Sequence, residues 1–408
     1  MKRTIFSPAK MRPYSDREIA AVGETLKSGH LSVVFGRQTV KFETEFAKHM
    51  GVAAAVAVSS GSSALEVALH VLGVGYGDEV ILPAYTFGGV VSTVMRNLAV
   101  VRFADIDRDS WNVSAETIEA QINAKTRAVI VPHMFGNPAD IEQIVVLATK
   151  HNIFVIEDCA QAAGAEVNGK KVGSFGDIGC FSFNEIKNLT TGEGGMVVAN
   201  NRDLVERGRL LRLHATKNGL IVDLGGKCTM TEMEAALGRN QLSSLNDMND
   251  IRRESCRYLL EQLSQIPGIS SQKSSNNAKH VYSRFVVRID KKVAGIDRDT
   301  MVNELKQKGY GVDPVYPTPL YRHPLFQSLS AGTPQVGLAT SYHRLYQDVV
   351  DFSAYPELVL PETEKFCLEQ FGFIVPPDIH LEEAKDFIEA IRDVQCTYHK
   401  MEVKRAAV

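Results

Sequence analysis

The sequence predicts an α/β protein with a large, mostly parallel sheet covered by helices and a smaller α+β region after it. Short apolar runs alternate with segments of helical period between residues 52 and 200. After Asn240 this alternation ends and a long amphipathic segment begins. The 408 residues exceed one ordinary core, so we expect a large domain at 1–244 and a small one at 245–408.

Seven apolar runs in the first part are predicted to be buried strands. They are residues 52–59, 79–83, 100–105, 128–133, 153–157, 178–183 and 196–199. Helical periods separate several of them, at residues 63–72, 115–122 and 141–151. Continuously apolar strands with helices between them are typical of a parallel sheet buried on both faces. Ligands of such sheets bind beyond the carboxyl ends of the strands.

The second part has a different pattern. A long helix is predicted at 245–266, because Pro267 and Gly268 follow it. An alternating strand at 281–289, a helix at 298–308, a proline-rich connection and a last helix at 381–394 come next. This order indicates a small α+β domain.

The composition excludes several classes of protein. Hydrophobic residues make up 44% and charged residues 23%, and the formal charge is only −3, so we expect neither a nucleic-acid nor a membrane partner. No apolar run is long enough to span a bilayer, and the N-terminus lacks the apolar core of a secretory signal. The six cysteines have no zinc-like spacing, so we expect no metal site, reduced thiols and a cytoplasmic protein.

A serine-rich segment, Ser59 to Ala64, follows the first predicted strand and opens a helix. Free amides at a helix N-terminus, together with hydroxyl groups, can bind a phosphate. An ordinary capped helix start would have the same sequence. A second polar site, Glu157-Asp158, ends another strand, where it could face the ligand crevice or form a surface turn.

Lys187 follows the sixth predicted strand and precedes a glycine-rich turn at residues 192–195. A single lysine is most often a solvated surface residue, but here it shares a sheet edge with Asp158 and the serine segment. Pyridoxal phosphate (PLP) needs a phosphate anchor, a carboxylate for its ring nitrogen and an amine for its Schiff base. The three features together therefore predict a PLP site with Lys187 as the Schiff-base lysine.

With these motifs in view, the chain resembles the DegT/DnrJ/EryC1/StrS family of sugar aminotransferases, which are fold-type I PLP enzymes. The resemblance covers nearly the whole chain. It is carried by SSGSSAL at 59–65, GDEVILPAYTF at 77–87, PHMFGNPAD at 132–140, IEDCAQAAGA at 156–165, GDIGCFSFNEIKNLTTGEGG at 176–195 and EMEAALGRNQL at 232–242. It implies a large domain with a seven-stranded sheet, and a homodimer with its active site at the subunit interface.

The resemblance also implies roles for particular residues. Lys187 would form the Schiff base and move the substrate proton, and Asp158 would hold the ring nitrogen protonated. The other implied cofactor contacts are Gly61, Ser62, Ser63 and Ser182 at the phosphate, Gln161 at the ring hydroxyl and Phe87 stacked on the ring. His133, Tyr316 and His323 lie in segments that the family places near the substrate.

The sequence departs from the family pattern before residue 232. The family usually has Gly-x-Asn-x-Arg there, and its asparagine reaches the cofactor phosphate of the neighbouring subunit. Lys227 stands at the asparagine position and Thr229 at the arginine position. Lys227 could contact the phosphate with a full charge, point to the substrate, or be a solvated lysine.

These features predict an aminotransferase that moves an amino group from glutamate or glutamine to a keto-sugar, with pyridoxamine phosphate as the intermediate form of the cofactor. The acceptor would be a nucleotide-linked keto-deoxysugar or a keto-cyclitol such as scyllo-inosose, and no residue decides between them. A sugar dehydratase of the same family would replace Lys187, commonly with histidine. A regulatory homologue without catalysis and an NAD-dependent oxidoreductase are further alternatives, but Lys187, Asp158 and Gln161 are intact and no dinucleotide fingerprint is correctly placed.

Overall fold

The structure is a computed structural model that describes residues 14–334 and 337–406, with side chains as far as residue 399. The N-terminal residues on which the prediction of no secretory signal partly depends lie outside this range. The helices are α1 (Asp16–Lys27), α2 (Gln38–Met50), α3 (Gly61–Val71), α4 (Gly89–Arg96), α5 (Ala115–Glu119), α6 (Ile141–His151), α7 (Arg202–Leu211), α8 (Glu232–Leu263), α9 (Lys291–Ala294), α10 (Arg298–Gln307), α11 (Pro324–Ser330), α12 (Leu338–Tyr346), α13 (Ala354–Glu357), α14 (Pro361–Glu369) and α15 (Leu381–Ala406).

The strands are shorter and fall into one large sheet and several small ones. In chain order they are β1 (Ala54–Val58), β2 (Glu79–Pro83), β3 (Val100–Ala104), β4 (Thr126–Pro132), β5 (Phe154–Asp158), β6 (Glu166–Val167), β7 (Lys170–Lys171), β8 (Ile178–Ser182), β9 (Gly195–Ala199), β10 (Thr216–Lys217), β11 (Leu220–Ile221), β12 (Ile269–Ser271), β13 (Ala278–Lys279), β14 (Arg284–Ile289) and β15 (Gln370–Ile374).

The large sheet has seven strands in the order β1-β9-β8-β5-β4-β2-β3. Strands β3, β2, β4, β5 and β8 pair in parallel, and β9 runs antiparallel between β8 and β1. The predicted strands and the mostly parallel sheet are confirmed. Because β9 is the one reversed strand, the carboxyl ends of the other six meet at the same edge of the sheet.

Alternate residues of the strands enter two cores, one on each face of the sheet. On β1, Val56 and Val58 pack on the side of α3, α4 and α7, whereas Ala55 and Ala57 pack on the side of α2, α6 and α8. This double burial explains why the strands are apolar without interruption.

The C-terminal part contains a second, antiparallel sheet of β12, β14 and β15. The second half of α8, α10 and α15 pack on it and form a separate core. Several apolar residues between β14 and β15, by contrast, pack on the first core of the large sheet: Leu320, Tyr321, Phe326, Leu329, Tyr342, Tyr346, Phe352 and Leu360. The chain therefore returns to the large sheet after β14 before it completes the small one.

Helix α8 is longer than predicted, because it begins at a capping box in which Thr231 and Glu234 bond each other's backbone amides. The expected boundary at residues 244 and 245 lies inside this helix. We therefore propose a division in which α8 is shared by the large unit and the C-terminal unit. Within the described ranges, no helix combines the length and the apolar character needed to cross a bilayer.

Candidate active site

The predicted site residues lie at the edge of the large sheet where the parallel strands end. Asp158 is the last residue of β5 and Ser182 the last of β8, while the serine segment links β1 to α3. Lys187 follows β8 after a short turn in which its amide donates to the carbonyl of Asn184. The topology thus brings together three motifs that are far apart in the sequence.

The N-terminus of α3 is capped by Ser60, whose Oγ accepts the amide of Ser63 at 3.0 Å. The hydroxyl of Ser63 is 3.1 Å from that of Ser59 and 2.9 Å from that of Ser60. The amides of Gly61 and Ser62 belong to the first turn, where no intrahelical acceptor exists. This turn could therefore receive an anion, and the helix dipole would add to the attraction.

Ser182 packs directly against this turn. A methyl group added at Gly61 would lie 2.7 Å from the Cβ of Ser182 and 3.3 Å from its Oγ. Only glycine permits so close an approach between α3 and the end of β8. The hydroxyl of Ser182 consequently lies beside the open amides of α3.

Asp158 is buried at the sheet edge, and burial is the main reason that its pKa is raised. Three groups oppose this rise: the amide of Ala160, which donates to Oδ1 at 3.0 Å, the charge of Lys187 and, least of the three, the nearby His133. A cationic group placed against this carboxylate would be attracted to it strongly, because little water screens the interaction.

Lys187 is half-buried, and desolvation lowers its pKa. The Asp158 carboxylate raises the pKa in part, and the positive charge of Arg284 lowers it again. The amine is therefore neutral at a lower pH than a surface lysine, which is the condition for a nucleophilic amine.

The loop that carries Lys187 is held by its neighbours. The Nδ2 of Asn188 donates to the Oδ1 of Asn249 on α8 and to the carbonyl of Val281, both at 2.9 Å. The amide of Thr191 donates to the carbonyl of Phe183 at 2.9 Å. These bonds fix both ends of the loop, so the lysine projects from a constrained backbone.

Gln161 has a defined orientation. Its Oε1 accepts the amide of Phe135 at 3.0 Å, and a backbone amide can only donate. The amide nitrogen of the side chain is therefore left to donate to another group, as the predicted contact with a ring oxygen requires.

Two aromatic residues complete this region. Phe87, between β2 and α4, leaves 55% of its side chain exposed, far more than a core phenylalanine. Tyr316 packs edge-on against Tyr85, with ring centroids 5.8 Å apart. Burial is the main reason that the pKa of Tyr316 is raised; Arg284 opposes the rise, and Asp158 adds a little to it. Tyr316 therefore lies within electrostatic range of Arg284 and Asp158.

His133 does not face this space, in contrast to the expected substrate contact. Its Nδ1 accepts the amide of Ala139 at 3.0 Å, and its Nε2 lies 3.1 Å from the Oε2 of Glu157. The ring is fully buried, with both nitrogens occupied by protein groups. Glu157 alternates with Asp158 along β5 and points to the opposite face of the sheet, so His133 supports the strand end from behind.

Glu157 and His133 lie close to Cys159, in an arrangement that could hold a metal ion. The two oxygens of Glu157, however, also accept the amides of Gly173, Phe175 and Gly176 at 2.6–2.8 Å. A carboxylate with this many donors already has its lone pairs occupied. We therefore interpret the cluster as a structural support.

The recorded contacts of Lys227 and His323 are with backbone groups. Lys227 is exposed, and its backbone forms an antiparallel bridge with that of Leu213. The carbonyl of the next residue, Cys228, accepts the amide of Ser59 at 2.8 Å. The Nε2 of His323 is 3.4 Å from the carbonyl of Thr318. No contact recorded among the described residues links either side chain to Lys187.

Arg284 was missed by the sequence analysis. It opens β14, far along the chain from Lys187, and its charge nevertheless acts on both Lys187 and Tyr316. An arginine in an alternating strand is normally read as solvent-facing. Only the packing of β14 beside the lysine loop reveals its position.

Comparison with known proteins agrees with the geometry. The sequence profile of the DegT/DnrJ/EryC1/StrS aminotransferase family matches residues 14–370. The chain is 32% identical to the spore coat polysaccharide biosynthesis protein SpsC of Bacillus subtilis (strain 168), over 96% of this chain and 98% of the relative. It is 35% identical to the UDP-N-acetyl-3-dehydro-alpha-D-glucosamine 3-aminotransferase of Acidithiobacillus ferrooxidans, over 86% of this chain and 92% of the relative.

Among solved structures, that of S. venezuelae DesV in complex with a ketimine intermediate superposes with a TM-score of 0.81. The identity is 29%, and the match covers 93% of this chain and 94% of the other. The family consists of PLP-dependent enzymes and includes sugar aminotransferases. The chain therefore belongs to the DegT/DnrJ/EryC1/StrS aminotransferase family, and it is an aminotransferase.

Proposed function

We propose that this enzyme transfers the amino group of glutamate or glutamine to a keto-sugar, with Lys187 as the residue that binds PLP. The observation that carries the proposal is the placement of Lys187 and the buried Asp158 at one sheet edge, within electrostatic range of each other. The phosphate cradle of α3 lies at the same edge.

The residues present fit the cofactor. The amides of Gly61 and Ser62 and the hydroxyl of Ser182 would hold its phosphate, with Ser63 completing the cap. Asp158 would pair with the ring nitrogen, Gln161 would donate to the ring oxygen and Phe87 would cover the ring. When bound, PLP supplies an aldehyde that combines with amines and a ring that withdraws electrons from the attached carbon.

Lys187 has two tasks in this proposal. Its lowered pKa makes Nζ available as a neutral amine, which is needed to hold the aldehyde carbon. Whenever it is not bonded to the cofactor, the same Nζ would be a base able to take a proton from the reacting carbon and to give it to a neighbouring carbon. The constrained loop around Asn188 keeps Nζ within reach during both tasks.

A sugar acceptor is supported by the relatives. The A. ferrooxidans relative is named for a UDP-linked 3-keto sugar, and we propose a nucleotide-linked keto-sugar or a keto-cyclitol such as scyllo-inosose as acceptor. Tyr316 lies within electrostatic range of Asp158 and is one candidate contact for the sugar, and His323 is another. A site that combines polar and aromatic side chains suits a polyhydroxy ligand.

We further propose a homodimer in which Lys227 contacts the partner's cofactor phosphate. The hairpin of β10 and β11, which precedes Lys227, exposes Leu220, Ile221 and Leu224 by 69%, 79% and 86%. Exposed apolar side chains in one segment indicate a surface that another protein covers. A second copy of this chain is the occupant that the family implies.

The central test removes the amine. Lys187→Ala should abolish both the visible absorption band of the lysine-bound cofactor and turnover. Lys150→Ala, an exposed lysine on α6, is the matched control and should retain both. Full amino transfer by Lys187→Ala would contradict the proposal.

Sharing of the site between subunits can be tested by mixing two inactive variants. If Lys227 acts on the partner's cofactor, a mixed dimer of Lys187→Ala and Lys227→Ala contains one complete site and regains activity. If Lys227 acts within its own subunit, mixing restores nothing. If Lys227→Ala is fully active on its own, Lys227 has no role at the cofactor.

A further inference from the structure

Arg284 is anchored beside the active site through the residues that precede it. The amide of Ser283 donates to the carbonyl of Phe135 at 2.9 Å, and Phe135 is the residue whose own amide is held by Gln161. The carbonyl of Val281 accepts the side chain of Asn188, the neighbour of Lys187. The start of β14 is thus tied to both walls of the site.

The side chain of Arg284 faces the site and not the C-terminal core. Phe285, the next residue on β14, is buried in that core, and successive side chains of a strand point to opposite faces. The charge of Arg284 lowers the pKa of Lys187 and opposes the rise in the pKa of Tyr316. A half-buried guanidinium therefore stands within electrostatic range of the reactive amine.

Among the half-buried and buried arginines of the described ranges, Arg284 differs in the contacts of its guanidinium. Arg288 on the same strand binds Glu369 at 2.7 Å, and Arg298 donates to the carbonyl of Gln370 at 3.0 Å. In the described part of the chain, Arg284 has neither an ion pair nor a side-chain hydrogen bond. A partly desolvated charge without a counter-ion is unfavourable. The structure therefore indicates that an anion from outside the chain pairs with the Arg284 guanidinium.

We propose that Arg284 binds the α-carboxylate of the amino donor. The inference rests on the proposed function. Every amino acid donor carries a carboxylate on the same carbon as its amine, and that carbon must approach Lys187. The planar guanidinium can bind a carboxylate through two parallel hydrogen bonds and so orient the reacting carbon. A carboxylate on the keto-sugar is the other possible source, and the experiment separates the two.

Binding of the donor at Arg284 has a consequence for Lys187. Arg284 lowers the pKa of the lysine while its charge is unopposed. A bound carboxylate neutralises that charge, so the pKa of the free amine rises. Lys187 is then a stronger base at the stage at which it must take a proton from the donor.

The test compares the wild-type holoenzyme with Arg284→Met, which keeps much of the side-chain volume and removes the charge. Each is mixed with glutamate or with isoglutamine, in which the α-carboxylate is an amide, and loss of the visible cofactor band is followed. Wild-type enzyme should prefer glutamate. The variant should lose on the order of 100-fold with glutamate, the size expected for a charge-assisted contact, and far less with isoglutamine.

Two further variants and the second half-reaction exclude a merely structural role. Arg284→Lys keeps a positive charge and should recover part of the glutamate rate, whereas Arg284→Gln should behave like Arg284→Met. The reaction of the aminated cofactor with a keto-sugar that has no carboxylate should change far less than the glutamate reaction in all of them, because there Arg284 acts only through the pKa of Lys187. An equal loss in both half-reactions, or a preference for glutamate that survives in Arg284→Met, would overturn the assignment.

A binding measurement separates this inference from the proposed function. Glutarate has carboxylates but no amine, and calorimetry of the holoenzyme should show weaker glutarate binding to Arg284→Met by at least about 10-fold. If no donor reacts with the wild-type enzyme, the proposed function fails while this measurement still reports on Arg284. Equal glutarate affinities would reject the carboxylate site.

Discussion

A methyl group added at Gly61 tests how the phosphate cradle is packed against β8. The new Cβ would lie 2.7 Å from the Cβ of Ser182, whereas ordinary contacts between such carbons begin at about 3.5 Å. The two elements must therefore separate by roughly 1 Å. Overpacking of this kind costs about 1–3 kcal/mol of the free energy of unfolding.

The sign of the change in the free energy of unfolding distinguishes a packing clash from an effect of helix propensity. Alanine is favoured over glycine inside a helix by about 0.8–1 kcal/mol, so without the clash Gly61→Ala would stabilise the protein. Gly23→Ala in α1 is the matched control, because no heavy atom lies within 4 Å of the added methyl. We expect Gly23→Ala to stabilise and Gly61→Ala to destabilise the cofactor-free protein in urea unfolding.

Removing the opposing side chain should relieve the clash. In the double variant Gly61→Ala, Ser182→Gly, the added methyl meets neither the Cβ nor the Oγ of Ser182. We expect a coupling free energy of at least about 1 kcal/mol between the two substitutions. The affinity for PLP should fall about 10- to 100-fold in Gly61→Ala, because the amides of α3 move away from the phosphate. Strictly additive effects in the unfolding series would refute the packing argument.

Two other predictions concern the lysine loop and the buried carboxylate. Asn188→Ala removes two buried hydrogen bonds and should destabilise the protein by about 2–4 kcal/mol in urea unfolding. Asn240→Ala loses one local bond within α8 and should have little effect. Equal effects would show that the two bonds of Asn188 do not hold the loop in place. Asp158→Asn should stabilise the cofactor-free protein at neutral pH and reduce turnover of the holoenzyme. Burial raises the pKa of Asp158 in the folded protein, so ionising this carboxyl costs stability. The advantage of the variant in thermal unfolding should therefore shrink as the pH falls from the raised pKa towards the ordinary pKa of an unfolded aspartate, and vanish below it. An advantage that persists at more acid pH would contradict this.

The parts of the fold and site that were predicted from sequence depend on local patterns. The strands of the large sheet are buried on both faces, so each appears as an uninterrupted apolar run that ends near a polar residue such as Asp158. Because parallel strands end at the same edge, that position was enough to place Asp158 together with the loop of Lys187. The glycine turn beyond Lys187 added a second local signal.

The features that were missed depend on contacts between distant segments. Arg284 lies almost a hundred residues beyond Lys187, and only the anchoring of β14 through Ser283 and Val281 brings it to the site. His133 was expected near the substrate because of its neighbours in sequence, but the orientation of its ring is decided by Glu157 on another strand. The start of α8 could have been predicted, since the capping pair Thr231 and Glu234 is visible in the sequence.

The most direct test of the account is to identify the residue that carries the cofactor. The purified holoenzyme is reduced with borohydride, which makes the bond between lysine and PLP permanent, then digested and analysed by mass spectrometry. We predict a phosphopyridoxyl group on Lys187 and on no other lysine. A modified lysine elsewhere, or an unmodified Lys187 in protein that shows the visible cofactor band, would contradict it.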